Sequence, residues 1–487
     1  MDHLKTKGTK AFIWDFFGKM ATHGMGFIVT IFLARLLEPS DFGLIALIMV
    51  IIGIATVFTD VGLGAALIQR RRVHPSQYTS VFYFNIFIGL LLTLTTYFSA
   101  SFISTFYDNE QLLLLVQVMS FLFVINAFSS VQSTRLHKEL NFALLTKIGL
   151  LSSLTSGIIG ISLAFYGAGV WSLAAQALSM GILYNILIWT LAKWIPSREF
   201  SWKALTQLWG FGFRMFLVGL LDAIYTRLDY LIIGKLFDPN TLGFYQRAKS
   251  LNMMAIQYSS GSLMSVLFPV LSKVQNDLPR FQNIILKSLG IISFIVFLLF
   301  GSLYLVSEEL IVILFSDKWF PSVEYFKILA FSGFAYPINA LLVNVLSSRG
   351  NSKAFLRMAI YKKFVAFSNL GIGFLFGIEG FLYGLIIVAV INTSITIVMA
   401  SRESSIPIIE FYRLIIVQVM IAALALLTTL FAVEFLSDSN IISLLIKLVL
   451  FSTVYIFLNW IFKTLSFQYF LEQFLPVLRK IVKKLEE

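Results

Sequence analysis

The chain has 487 residues, of which 58% are hydrophobic and only 13% are charged, and its formal net charge is +12. Soluble globular domains are about 25% charged, so this composition excludes an ordinary soluble protein and favours an integral membrane protein. The chain has no cysteine, which excludes disulfides and thiolate metal sites, and its four histidines show no zinc-ligand spacing.

Apolar segments long enough to span a bilayer follow one another along the chain. A spanning helix needs about 17–25 predominantly apolar residues. Such segments lie at 12–33, 41–68, 79–104, 111–133, 143–166, 168–192, 211–235, 244–271, 283–306, 325–346, 355–376, 378–400, 411–434 and 441–462. The first contains Asp15 and Lys19 and lacks a cleavage motif, so we expect a retained helix rather than a signal peptide. The sequence therefore predicts an all-α integral membrane fold with about 14 transmembrane helices.

The positions of the basic residues predict the orientation of the chain. Lysine and arginine are retained on the cytoplasmic side of a membrane. With a cytoplasmic N-terminus, 27 of them fall in cytoplasmic segments and three in outer loops, namely Arg35, Lys235 and Lys318. We therefore predict that both termini are cytoplasmic. Most of the basic excess then serves topology, and we expect no nucleic-acid partner.

An internal repeat is visible at an offset of 200 residues. Residues 34–44 (ARLLEPSDFGL) align with residues 234–244 (GKLFDPNTLGF), with three identities and one non-conservative pair, Asp41 and Thr241. Chance similarity between apolar segments is the alternative, but the match extends through a polar loop and so favours duplication. Two repeats in the same orientation predict two pseudo-symmetric six-helix lobes around a central cavity.

The repeat divides the chain into five predicted parts. The expected divisions are an N-terminal lobe at 1–195, an interfacial linker at 196–210, a C-terminal lobe at 211–403, helices 13 and 14 at 404–464, and an amphipathic C-terminal helix at 465–487. Apolar residues at helical spacing and a basic end predict that this last helix lies on the anionic membrane surface, with partner binding as the alternative.

Charged residues at membrane depth are the candidate functional residues. A charge at a helix centre costs roughly 2.5–3.5 kcal/mol, so it usually faces a cavity or a partner. The candidates for substrate binding in a cationic cavity are Lys19, His23, Arg214, Arg227, Arg247 and Lys249. The candidates for ion coupling or pairing are Asp15, Asp60, Asp222 and Asp229.

Two structural alternatives apply to these charges. The first is buried ion pairing, of Asp15 with Lys19 or of Arg227 with Asp222 or Asp229. The second is snorkelling of basic side chains near helix ends, which we expect for Lys327 and Lys447.

Three motifs carry a resemblance to a known family. They are FLARLLEPSDFG at 32–43, FTDVGLGAALIQ at 58–69 and LDYLIIG at 228–234. With these motifs and a 6+6+2 helix plan, the chain resembles the polysaccharide transporter family of the multidrug/oligosaccharidyl-lipid/polysaccharide exporter superfamily. It looks most like the O-antigen, colanic-acid and teichuronic-acid lipid-linked oligosaccharide flippases.

The resemblance implies a flippase, not an enzyme, that moves undecaprenyl-pyrophosphate-linked oligosaccharide across the bacterial cytoplasmic membrane by alternating access. It implies no cofactor, coupling by H⁺ or Na⁺, and contacts with membrane lipids and with other polysaccharide assembly proteins. A multidrug or cation antiporter of the same superfamily is the alternative function. A membrane glycosyl enzyme is disfavoured, because none of the predicted outer links is long enough for a catalytic loop.

Overall fold

In the computed structural model, the described residues are 2–433 and 441–486, and their side chains are described except at 2–13, 258, 260–266, 352 and 477–486. All regular elements in these ranges are helical, which confirms the predicted all-α fold. By their internal packing the residues form two compact units, Met1–Gln246 and Arg247–Glu487. The lobe and linker boundaries expected from the repeat remain predictions.

The first unit contains nine helices and the start of a tenth. They are α1 (Asp2–Leu36), α2 (Pro39–Asp60), α3 (Leu63–Gln69), α4 (Pro75–Phe106), α5 (Gln111–Ser120), α6 (Leu122–Lys138), α7 (Phe142–Phe165), α8 (Val170–Ala192), α9 (Trp202–Leu236) and α10 (Pro239–Lys273). Within this unit α1 packs against α7, α2 against α9, and α4 against α5 and α6. Helix α9 begins inside the predicted linker, where the Ser201 hydroxyl accepts the Ala204 backbone N–H at 3.3 Å.

The second unit contains the remaining helices of the described chain. They are α11 (Leu278–Leu305), α12 (Ser307–Phe315), α13 (Ser322–Gly333), α14 (Ala335–Ser348), α15 (Ser352–Ser404), α16 (Ile408–Val433), α17 (Ile441–Ile461) and α18 (Leu465–Glu486). Helix α11 is the centre of this unit, because it packs against α13, α14, α16, α17 and α18. Its buried face carries Phe281, Ile285, Leu289, Ile292 and Val296, at helical spacing.

By length and composition, eleven helices within the described residues qualify as membrane spans. One of them, Lys353–Ser404, contains Gly377, whose φ of 73° and ψ of −166° interrupt the helix, so this span consists of two helical arms. Helices α9 and α10 have 35 residues each but are not among the eleven. The multi-span membrane fold is confirmed, and the count of about 14 stays a prediction.

The described part of the amphipathic helix α18 packs on protein. The Phe294 ring of α11 lies 5.3 Å from the Phe467 ring and 4.9 Å from the Phe470 ring, centroid to centroid. Lys287 of α11 pairs with Glu472 at 2.8 Å. The beginning of the apolar face is therefore covered by α11. The side chains of Lys480, Lys483 and Lys484, on which the predicted membrane contact depends, lie outside the described residues.

Candidate functional site

The first candidate cation, Lys19 on α1, is held in an ion pair. Its Nζ lies 2.8 Å from Asp15 Oδ2, one helical turn away. The Lys19 side chain is 66% exposed, so this pair is solvated and weakly held, and exchange for an anionic ligand costs little. His23, one turn further along, is exposed. The pairing alternative therefore holds for Asp15 and Lys19, while the ammonium remains accessible.

Asp60 ends α2 and caps α3. Both carboxylate oxygens accept the Gly64 backbone N–H, at 3.0 and 2.9 Å, and Oδ1 also accepts the Asn85 side-chain amide at 3.3 Å. Between the two helices, Gly62 has a φ of 71°, and a Cβ at Gly62 would overlap the backbone carbonyl of Gly212 on α9. The FTDVGLG motif is therefore a helix-to-helix joint that only glycine allows to lie against α9.

The two arginines of α9 point in different directions. They are 13 residues apart, which places them about 220° apart around the helix axis. Arg227 lies against α2, where its Nη1 donates to the Met49 carbonyl at 3.5 Å and packs on the Cα of Gly53. No ion pair joins Arg227 to Asp222 or Asp229 in the part of the chain that the structure describes, so the predicted pairing is not found there.

Arg214 and Asp222 lie on the exposed side of α9. Neither side chain has a hydrogen-bond or ion-pair partner among the described residues. Asp229, in the LDYLIIG motif, instead accepts the Tyr245 hydroxyl at 2.5 Å and so connects α9 to the start of α10. Five residues later, a Cβ at Gly234 would overlap Leu47 of α2. This motif therefore fixes how α9 packs.

The two repeats meet at their matching glycines. A Cβ at Gly43 would overlap the Pro239 carbonyl, and a Cβ at Gly243 would overlap the Pro39 carbonyl. The same residues of each repeat thus make reciprocal contacts, as expected for duplicated elements about a pseudo-twofold axis. This geometry supports duplication over chance similarity.

The one non-conservative pair of the repeat has a structural explanation. Before α2, the Asp41 carboxylate accepts the Glu38 backbone N–H at 3.1 Å. Before α10, Asp238 accepts the Thr241 backbone N–H at 2.9 Å and its hydroxyl at 3.0 Å. Burial disfavours the Asp238 carboxylate, but these hydrogen bonds outweigh it and lower the pKa of Asp238. Both repeats therefore use a carboxylate to accept a backbone N–H where the helix begins. The carboxylate belongs to the later residue of the bonded pair before α2, Asp41, and to the earlier residue before α10, Asp238.

Arg247 lies in the second unit and is buried, with 2% exposure. Its guanidinium carbon lies 4.9 Å from the Phe315 ring centroid and 5.1 Å from that of Trp319. Cation–π contacts with two rings stabilise a desolvated guanidinium. Lys249 is partly buried. Arg247 therefore has aromatic protein partners of its own, and any role in substrate binding remains a prediction.

Two lysines within helices have polar partners that the sequence did not predict. Lys447 pairs with Glu309, whose side chain is 2% exposed, so the expected snorkelling is wrong for Lys447. Lys362, one of the 27 basic residues predicted to be cytoplasmic, lies ten residues inside α15 and donates to Asn339 Oδ1 at 3.1 Å; its cytoplasmic placement stays a prediction. Both contacts join residues on different helices. The only sign of them in the sequence is that the partner residues, Glu309 and Asn339, are polar.

Comparison with known proteins decides the family. A family description, polysaccharide biosynthesis protein, matches residues 32–324, more than half of the chain. The chain belongs to this family. A relative from Escherichia coli, the lipopolysaccharide biosynthesis protein WzxC, is 23% identical and aligns over 80% of both chains. The succinoglycan biosynthesis transport protein ExoT of Rhizobium meliloti is 23% identical and aligns over 63% of this chain and 62% of its own.

Two solved structures share the fold of this polysaccharide biosynthesis protein. The lipid II flippase MurJ in an inward closed conformation superposes with a TM-score of 0.71 over 93% of this chain and 98% of its own, at 17% identity. An inward-facing multidrug resistance MATE family transporter of the MOP superfamily has a TM-score of 0.60 over 78% of this chain and 95% of its own, at 15% identity. The match over residues 32–324 confirms the predicted family resemblance, and the two structures confirm the predicted fold.

Proposed function

We propose that this family member is a flippase for undecaprenyl-pyrophosphate-linked oligosaccharide in a bacterial cytoplasmic membrane, working by alternating access. The observation that supports it most is that Arg214, within a helix of a polysaccharide biosynthesis protein, is exposed and has no side-chain partner among the described residues. An exposed guanidinium in a membrane protein suits a pyrophosphate, because it donates parallel hydrogen bonds to phosphate oxygens.

The accessible cations of the first unit have complementary roles in this proposal. Arg214 binds the pyrophosphate, and Lys19 exchanges its solvated Asp15 partner for it. Arg227 positions α9 against α2 through Met49, so it contributes positive potential rather than a first contact. The oligosaccharide follows the pyrophosphate headgroup, while the polyprenyl chain stays in the bilayer.

We test the proposal by replacing Arg214 with Gln and with Lys, using Lys203→Gln on the same helix as a control of equal charge. Loss of a charge-assisted hydrogen bond removes about 1.5–3 kcal/mol, or about 10- to 100-fold in transport. The measurement is the amount of lipid-linked oligosaccharide retained in the cytoplasmic leaflet, at matched protein abundance. Cells with R214Q should retain lipid-linked oligosaccharide in the cytoplasmic leaflet, and cells with R214K should retain less of it. Cells with the control K203Q should retain none.

Normal surface polysaccharide in cells lacking the protein would contradict the proposal. A drug-sensitive phenotype with intact polysaccharide would instead favour the multidrug or cation antiporter. For that function an organic cation is the ligand, and neutralising Arg214 should improve its transport rather than impair it.

We further propose that transport is coupled to H⁺ or Na⁺ through Asp222. Three of the four candidate aspartates have partners: Asp15 forms an ion pair, and Asp60 and Asp229 accept hydrogen bonds. Asp222 is exposed and has no side-chain partner among the described residues. D222N should abolish the response of transport to a collapsed H⁺ or Na⁺ gradient. An unchanged response in D222N would remove Asp222 from this role.

A further inference from the structure

Helix α15 is a helical hairpin with a groove between its arms. The chain reverses at Gly377, and Ala354 and Arg402 line the same cavity although they are 48 residues apart. Across the hairpin near the turn, the Asn369 amide donates to the Phe381 carbonyl at 3.1 Å. The two arms are therefore packed neighbours, and the cavity lies within one unit.

The groove is of a size that takes a ligand. Its volume is about 570 Å³, within the range of about 300–1,000 Å³ typical of small-molecule sites. Its walls are mostly apolar, with Val390, Ile391, Ile395 and Val398 from the second arm and Tyr361 from the first. Tyr361, Val390 and Ile391 are exposed, so the groove is open along one side.

Two arginines lie at the end of the groove away from the turn. Arg357 precedes Gly377 by 20 residues and Arg402 follows it by 25, which corresponds to about 30 and 37 Å along the arms. The hydrocarbon core of a bilayer is about 30 Å thick, so with the turn at one surface both guanidinium groups lie at headgroup level on the other.

The cations at this end are available to a ligand. Arg357 and Arg402 are exposed, and neither has a hydrogen-bond or ion-pair partner in the described part of the chain. Glu403 also lines the groove, and its Oε1 accepts the Asn351 side-chain amide at 2.6 Å rather than pairing with either arginine. An unpartnered pair of arginines beside an apolar groove complements an anionic headgroup with an acyl chain.

The surroundings of the groove point to lipid. The outer surface of the first arm exposes large aromatic side chains, among them Phe355, Phe364, Phe367 and Phe374. Exposed aromatic residues along a membrane helix are suited to contact with hydrocarbon. A ligand therefore reaches the groove from the bilayer.

We propose that this groove binds an anionic phospholipid, with the phosphate between Arg357 and Arg402 and one acyl chain along Val390 to Val398. Basic pockets between membrane helices bind anionic lipid headgroups in this way. The site is independent of the transported substrate.

The test is a titration of the purified full-length protein in detergent with phosphatidylglycerol, phosphatidylcholine or a polyprenyl phosphate, followed by thermal unfolding. Each arginine near an anionic headgroup contributes about fivefold in affinity, so R357Q/R402Q should bind phosphatidylglycerol about 25-fold more weakly. The control K273Q/R280Q makes the same change of charge at the end of α10 and in the first turn of α11, and should bind as the unaltered protein does.

A second variant tests the groove without removing charge. V398W fills the apolar wall and should weaken phosphatidylglycerol binding with both arginines present. Equal binding of phosphatidylcholine, or unchanged phosphatidylglycerol binding in R357Q/R402Q, would overturn the proposal. The proposal would also be overturned if R357Q/R402Q lost binding of polyprenyl phosphate alone, since the groove would then hold the substrate's lipid.

Discussion

At the scale of single residues, charged side chains in this protein serve two purposes that their positions in the sequence do not separate. Asp60 and Asp229 accept hydrogen bonds that join helices, whereas Arg214 and Asp222 remain exposed. All four lie in or beside apolar segments of similar appearance. What distinguishes them is the neighbour that packing supplies.

We predict that Asp60 acts through its hydrogen bonds rather than its charge. D60N keeps an acceptor for the Gly64 N–H and should unfold close to the unaltered protein, whereas D60A should lose about 0.5–2 kcal/mol, as for other helix caps. Thermal unfolding in detergent measures both. If D60N were as unstable as D60A, the negative charge itself would be needed.

A second prediction concerns the buried pair of Glu309 and Lys447. Removing one partner leaves an uncompensated buried charge, so E309L or K447M alone should cost about 3–5 kcal/mol. The double variant E309L/K447M removes both charges and should recover most of that loss. A double-mutant cycle on unfolding free energies checks this, and additive losses would show that the two side chains are not coupled.

At the scale of helices, glycines determine where elements approach. The apolar residues of the sequence predicted long helical segments, but the break after Asp60, the turn at Gly377 and the contact of Gly43 with the second repeat are features of backbone packing. Without a Cβ the backbones approach more closely than any other residue allows.

We predict opposite effects for glycine-to-alanine changes at crowded and at open positions. G43A and G243A each place a Cβ on a backbone carbonyl, which must shift, and should destabilise by about 1–3 kcal/mol. G24A in α1, where nothing lies within 4 Å, should stabilise its helix by about 0.5–1 kcal/mol. Thermal unfolding of the three variants decides the matter. A stabilising G43A would mean that the two repeats do not meet at this point.

The pH dependence of the α10 cap follows from the same turn. Because the pKa of Asp238 is lowered on folding, its hydrogen bonds to Thr241 stabilise the folded state above the ordinary aspartate range. That contribution should be lost as the pH falls through the lowered pKa. D238N should flatten this acid dependence, which unfolding between about pH 3 and pH 7 measures.

At the scale of the whole molecule, orientation is the property to test. Because the chain has no cysteine, single cysteines can be introduced without background. The predicted topology places Tyr166, between α7 and α8, outside and Arg72, before α4, inside. In intact cells a membrane-impermeant maleimide should label Y166C and not R72C. After the cells are lysed it should label both. The reverse pattern would require cytoplasmic loops with few positive charges, contrary to the basis of the prediction.

The sequence by itself determined the membrane character, the helices, the repeat and the family resemblance. These follow from composition, periodicity and local motifs, all of which are encoded within short stretches of chain. For the same reason the i,i+4 pair of Asp15 and Lys19 could be named in advance as one of two alternatives.

Only the tertiary structure decided which neighbour each charge has. Arg227 meets Met49, 178 residues away, and Lys447 meets Glu309, 138 residues away. Helical periodicity tells which face a side chain occupies but not which helix lies opposite that face. The buried partner of Lys447 was missed for this reason, and the groove between Arg357 and Arg402 was visible only once the arms of α15 were folded together.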